Sequence, residues 1–283
     1  MLRGMTWRRL FHFACLLGCS ADAWAWGLQT HGFFAQSLLW LVPLADPLLR
    51  RAAARLPRLV LAGAALPDLV LTGARRIPAL GESHDWHTAA RLIAEAGSDE
   101  ERALALGFTS HLLTDIFAHN HFVPAHERIW GDVPVLTHAA AEWAMDRCIA
   151  RQLFVQPADL LLQERGILGR YVAQSFACTP AAAESALIAL AGAERWLRRS
   201  RLPALALSAG RLADRRLDRR LKHYLAHTQR HLAQINRVAA GEQPHWGANP
   251  CSRRAKAALA GVPERLVHTR LPLPADVFVP AAA

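Results

Sequence analysis

The stretch SDEERALALGFTSHLLTDIFAHNHFVPAHE, Ser98 to Glu127, decides how this chain is read. Ser98 with Glu101 three residues later forms a capping box, the signature of a helix N-terminus. Leu104, Phe108, His111, Leu112, Asp115 and Ile116 then recur at helical spacing. The helix is apolar enough for a protein core, yet it carries His111, Asp115, His119 and His121. Burying a polar group without a partner costs about 1–3 kcal/mol, so either these side chains are solvated or something in the interior holds them. His111 and Asp115 are four apart and share one helix face, with Cβ atoms about 5–6 Å apart. Pro124 is expected to end the pattern, with RIWGDVP as loop and His126 in solvent.

Outward from this helix the pattern stays helical. Gly27 to Val42 is apolar and helical in spacing. DPLLRRAAARL opens with Asp46 as N-cap and Pro47 at the first helical position. Pro67 stops the next apolar helix near Leu66 and leaves Asp68 beyond the break. Gly73 to Ser83 reads as loop, Asp85 to Ala96 as helix, and Leu136 to Leu153 as a helix carrying His138 and Glu142. Thr179 and Pro180 start another, and one long helix is expected over Pro203 to Ala240. β-branched residues are sparse and no segment alternates long enough for a sheet, so the fold class is all-α, a multi-helix bundle around one core.

The 283 residues carry a formal charge of +10, almost all of it from Arg, since only Lys222 and Lys256 are lysines. Such an excess suits nucleic acid or an anionic membrane, but no basic stripe interleaved with aromatics is present, and RLADRRLDRRLKHY alternates its charges like a wet helix face. The N-terminus reads as a signal peptide over residues 1–25. Arg3, Arg8 and Arg9 precede a short apolar run and the A-x-A site Ala23-Trp24-Ala25. Export to the periplasm or the medium is expected, with a lipoprotein anchored at Cys19 as the second reading. The mature chain would start at Trp26, with one α-helical domain over 26–245 and an irregular, Pro-rich tail over 246–283. Cys148, Cys178 and Cys251 are scattered and give no disulfide framework.

Eight of the fourteen histidines lie between His31 and His138. His138 and Glu142 repeat the spacing of His111 and Asp115, and paired helices offering a His and a carboxylate inward commonly build metal cages. Imidazole and carboxylate suit Zn²⁺. His223, His227 and His231 repeat every four residues, but their cationic neighbours and the lack of nearby carboxylates suggest a solvated or groove-lining face.

Over Trp26 to Glu142 the sequence resembles the zinc-dependent phospholipase C family, whose fold is shared by fungal single-strand-specific zinc nucleases. The matching pieces are WGLQTH with Trp26 and His31, LPDLV with Asp68, and SHDWH with His84 (His87 as its alternative). HLLTDIFAHNH follows with His111, Asp115 and His121, then His138 and Glu142. The resemblance implies three zinc ions, at least two. One would be held by Asp68, His84, His111 and Asp115. The second would take the Trp26 α-amino nitrogen and carbonyl oxygen, His31 and a bridging Asp115. The third would take His121, His138 and Glu142. It implies a zinc-activated water attacking phosphorus, Asp68 accepting its proton, and a phospholipid substrate at a membrane surface. Two other functions stay open: a nuclease acting on single-stranded nucleic acid, and a non-catalytic, membrane-associated zinc protein.

Overall fold

The computed structural model describes residues 27–131, 136–248, 262–263 and 277–278, so Trp26 and the expected leader lie outside the described residues. Those residues form helices joined by short turns, with no strand among them. In chain order they are α1 (Leu28–Leu41), α2 (Pro47–Arg55), α3 (Pro57–Gly63), α4 (Val70–Gly73), α5 (Trp86–Glu95), α6 (Asp99–Phe117), α7 (Val123–Trp130) and α8 (Leu136–Ile149). There follow α9 (Pro157–Gln163), α10 (Arg165–Ser175), α11 (Pro180–Arg199), α12 (Leu202–Ala213), α13 (Leu217–His231) and α14 (Ile235–Ala239). No described helix is long and apolar enough to cross a membrane.

The capping signals work as read. Ser98 accepts from the Glu101 amide while Glu101 reaches back to the Ser98 amide. Asp46 accepts from the Leu48 and Leu49 amides ahead of α2, and Thr179 accepts from Ala182 at the start of α11. Helix α6 is the axis of the molecule. Every residue from Ala103 to Phe117 is buried, and α1, α2, α3 and α5 pack around it. An all-round buried helix has no polar face to give to water, so His111 and Asp115 sit in the interior.

The crossing of α3 and α6 is unusually close. A Cβ on Gly107 would lie 2.0 Å from the Val60 carbonyl oxygen, and one on Gly63 2.4 Å from that of Leu104. Each helix therefore presents hydrogen where any side chain would hit backbone. Gly107→Ala is expected to destabilise the fold by about 1–3 kcal/mol, the usual cost of overpacking. Chemical denaturation of the two proteins checks it; equal midpoints would show that the helices part without cost.

Three local expectations are overturned. Pro124 does not end the helical run. Ala118–Phe122 forms a π-helical turn and α7 restarts with Pro124 in its first turn, where a missing N–H costs little. Helix α7 then runs to Trp130, and Gly131 closes it at φ 100°. The single long helix over Pro203 to Ala240 is broken at Asp214, whose carboxylate accepts from the Arg216 amide at 2.9 Å and pairs with Arg220 at 2.9 Å, a side chain competing with the helix ladder. The segment after Gly73 contains a 3₁₀ turn, Pro78–Glu82. Of the tail, Trp246 and Ala248 are buried against the helices.

Candidate metal centre

Four elements converge on one buried point. Helix α6 supplies His111 and Asp115, one turn apart. Helix α1 supplies His31 from its first turn. The 3₁₀ turn Pro67–Leu69 supplies Asp68, and His84 stands just ahead of α5. All five side chains are buried, Asp115 completely. Ligand atoms of His31, His111 and Asp115 lie within 4.8 Å of one another, and so do those of Asp68, His84 and His111. His87 is exposed, so of the two histidines in SHDWH it is His84 that reaches the cluster.

Hydrogen bonds fix which nitrogen each ring offers. The His111 Nδ1–H donates to the Ala64 carbonyl at 2.8 Å. The Ser83 hydroxyl donates to the Pro67 carbonyl at 2.8 Å, so its oxygen accepts from His84 Nδ1–H at 3.1 Å. Thr114 repeats the device: it donates to the His111 carbonyl at 2.9 Å and accepts from His31 Nδ1–H at 3.3 Å. Each ring thus turns Nε2 toward the cluster, the arrangement by which outer-shell partners orient metal-binding histidines. Gly107 and Ala64 tie this to the fold, because the α3–α6 approach sets where the Ala64 carbonyl stands.

The Nε2 atoms face each other and the carboxylates. His84 and His111 Nε2 are 3.3 Å apart. Asp115 Oδ2 is 3.1 Å from His111 and 3.5 Å from His84, while Asp115 Oδ1 is 3.3 Å from His31. Asp68 Oδ1 stands farther back, 3.9 and 4.0 Å from His111 and His84. Neither Asp115 oxygen nor His31 Nε2 has a hydrogen-bond partner among the described residues. Burial, reinforced by His111, pushes His84 down to about 3, so its Nε2 is a bare lone pair at neutral pH. Burial alone would raise Asp115, but His111 and His31 outweigh it and hold the carboxyl well below its usual range. Imidazole nitrogens and carboxylate oxygens converging this closely on one buried point fit a divalent cation. Nitrogen and oxygen donors of this kind suit Zn²⁺. The two oxygens of Asp115 point to two different donor sets, so one carboxylate can serve two ions.

Asp68 behaves differently. Burial raises it to about 8; His111 opposes that and Asp115 adds to it. Burial likewise lifts Asp146 to about 7. In metal-free protein both carboxyls must lose a proton that the folded state prefers to keep, so stability falls as pH rises through this range. The histidines held low by burial titrate the opposite way but finish by their unfolded value near 6.5. Between pH about 6.5 and 8, metal-stripped protein is therefore expected to melt progressively lower. Thermal scans in chelator check the slope, and a flat or rising trend would contradict it.

The third expected set does not assemble among the described residues. His138 Nε2 meets Glu142 Oε1 at 2.8 Å, but His121 joins them in no group within ligand distance. His121 follows Asp115 across the π turn, whose wider pitch turns its ring against Phe117 and Trp246. Both its nitrogens are buried without a hydrogen-bond partner, and burial, with His227 and His231 nearby, pushes it well below its usual range. His227 and His231 are half-buried with rings against Phe117, so of the two readings of the α13 stripe they fit the groove-lining one. His126, expected in solvent, is fully buried, with Nδ1 on the Phe122 carbonyl at 2.7 Å. His119 bonds the Ala248 carbonyl and packs its ring on His138.

Asp146 was not legible as a site residue. It lies one turn beyond Glu142, and the period His138, Glu142, Asp146 was the available signal. Its Oδ1 accepts from the Thr30 amide at 2.9 Å and the Thr30 hydroxyl at 2.7 Å. It thus caps α1, whose own N-cap Gly27 offers no side chain, and places His31 one residue after Thr30. Glu142 is buried beside Asp146 and Asp115; burial first, then those two charges, push it well above its usual range.

A family model described as zinc dependent phospholipase C matches residues 30–178, just over half of the chain. The match includes His31, Asp68, His84, His111, Asp115, His121, His138 and Glu142, and runs on past Glu142, where sequence motifs alone give out, to Cys178. No curated protein and no solved structure gives a significant match.

Proposed function

The chain belongs to the zinc-dependent phospholipase C family, and from that premise we propose that it is an exported phosphodiester hydrolase acting on phospholipids. The observation that carries the reading is the convergence of three imidazole Nε2 atoms and two carboxylates on one buried point. His84, His111, Asp68 and Asp115 would hold one zinc ion. His31 and Asp115, completed by the Trp26 amino terminus, would hold the second. When bound, zinc supplies Lewis-acid charge for the phosphate oxygens and lowers the pKa of water toward neutrality.

The chain's own residues do the rest. Ala64, Ser83 and Thr114 lock the three rings in the tautomer that offers Nε2. Asp115 spans both donor sets. Asp68 stands set back from the imidazoles, 3.9 Å from His111 Nε2 and 4.0 Å from His84 Nε2, and its carboxylate is the acceptor for the proton of an attacking water. Glu142 and His138 contact each other and lie outside both donor sets. No serine or cysteine nucleophile is needed.

The test is metal analysis of correctly processed protein paired with a phosphoester panel. At least two zinc ions per chain and cleavage of phosphatidylcholine between glycerol and phosphate are expected. Hydrolysis of single-stranded DNA without action on phospholipid would replace this reading by a nuclease. Zinc without turnover on any phosphoester would leave a binding protein.

A further inference from the structure

Helix α12 packs on α8 and α7 with Pro203, Leu207 and Gly210 buried. Its other side is left to solvent. Ala204, Leu205, Ser208, Ala209 and Leu212 are exposed and fall at the i, i+4 and i+3 spacings of one face. Leu205 is 60% exposed and Leu212 88%. From Ala204 to Leu212 the strip runs about 12 Å at 1.5 Å per residue, and the one charged side chain beside it, Arg211, is paired with Asp218.

Both ends of the face are cationic. At the N-terminal end stand Arg199 and Arg201, and at the C-terminal end Arg215 and Arg219, all exposed. The carboxylates nearby are already engaged. Glu194 pairs with Arg198 and Asp159 with Arg195 at one end; Asp218 pairs with Arg211 and Asp214 with Arg220 at the other. An apolar strip with arginines at both ends matches a lipid surface, where acyl chains accept leucines and anionic headgroups accept guanidinium.

We propose that the outer face of α12 docks this protein on an anionic phospholipid bilayer, with Leu205 and Leu212 inserted and Arg199, Arg201, Arg215 and Arg219 on the headgroups. The inference deepens the phospholipid reading of the metal centre and rests on it for its purpose. It accounts for arginines that the site does not use. A peripheral mode agrees with the absence of a membrane-crossing helix among the described residues.

The test is sedimentation of the processed, zinc-loaded protein with vesicles of phosphatidylcholine, with and without phosphatidylglycerol. Binding is compared with that of a Leu205→Ser/Leu212→Ser variant and an Arg199→Gln/Arg201→Gln/Arg215→Gln/Arg219→Gln variant. The native protein should bind the anionic vesicles. The leucine variant should bind at least about tenfold more weakly, since each buried leucine is worth that order. The arginine variant should lose the salt dependence of binding. Turnover of a short-chain phosphatidylcholine below its micellar concentration should be unchanged in both, which shows intact folding. No binding by the native protein, or equal binding by the leucine variant, overturns the proposal. So does a native dimer that the leucine variant dissociates, which would assign the face to a second copy. Binding is read without turnover, so failure of the phosphoester panel with vesicle binding intact would remove the enzymatic reading and keep the docking surface.

Discussion

An Asp115→Asn variant is expected to fold as the native chain does, to lose zinc from both positions, and to hydrolyse phosphodiesters more than about a hundredfold more slowly. The two oxygens of Asp115 face different imidazoles, Oδ1 toward His31 at 3.3 Å and Oδ2 toward His111 at 3.1 Å. An amide has the same shape but one weak acceptor and one donor, so at most one donor set keeps an oxygen and neither keeps a charge. Altering even the partners of metal ligands costs 10–100-fold in affinity or activity, and here a shared ligand itself is changed. The sharper readout is thermal. A ligand that binds only the folded state stabilises it by about 2.7 kcal/mol at a hundred times its dissociation constant. Zinc should therefore raise the melting temperature of the native protein and leave that of the variant unmoved. A variant that keeps two zinc ions and its melting rise would show that Asp115 is not the shared ligand.

Much of this centre could be read from spacing because helices turn spacing into geometry. His111 and Asp115 at i and i+4 must share a face, and a helix that is apolar all round must bury that face. Asp68 after a helix-stopping Pro67 was legible for a similar local reason. What stayed hidden depends on contacts between distant segments. Pro124 is tolerated because a π turn ends one helix and lets Pro124 begin another. In that turn His121 forms no ligand group with His138 and Glu142, although the motif places all three in order. His126 looked wet because its surroundings, Phe122, Trp130 and Tyr224, come partly from α13. Asp146 serves backbone amides 116 residues away, and no local pattern announces a cap supplied by another helix. The choice of His84 over His87 needed the fold as well, since only Ser83 and Pro67 together show which ring is held inward.

A chain carrying one extra residue ahead of Trp26 is expected to bind one zinc ion fewer and to lose at least about nine-tenths of its activity. The start of α1 is pinned. Asp146 holds Thr30 through both amide and hydroxyl, and a Cβ on Gly27 would lie 2.1 Å from Asp146 Oδ2. Gly27 is therefore held against α8, at the start of the helix whose His31 faces Asp115. A free α-amino group on Trp26, with a pKa of about 7.7–8.0, would offer a nitrogen lone pair once deprotonated. The same nitrogen inside a peptide bond does not. If the expected leader is cleaved after Ala25, the uncleaved precursor would keep its second position incomplete. Comparing chains that begin at Trp26 and at an added Met, by zinc content and turnover across pH, checks this. In the first, occupancy of the second position should rise as pH passes about 7.7–8.0; in the second it should stay low throughout. Equal zinc and equal turnover in the two would remove the amino terminus from the centre and leave His31 and Asp115 to hold that ion without it.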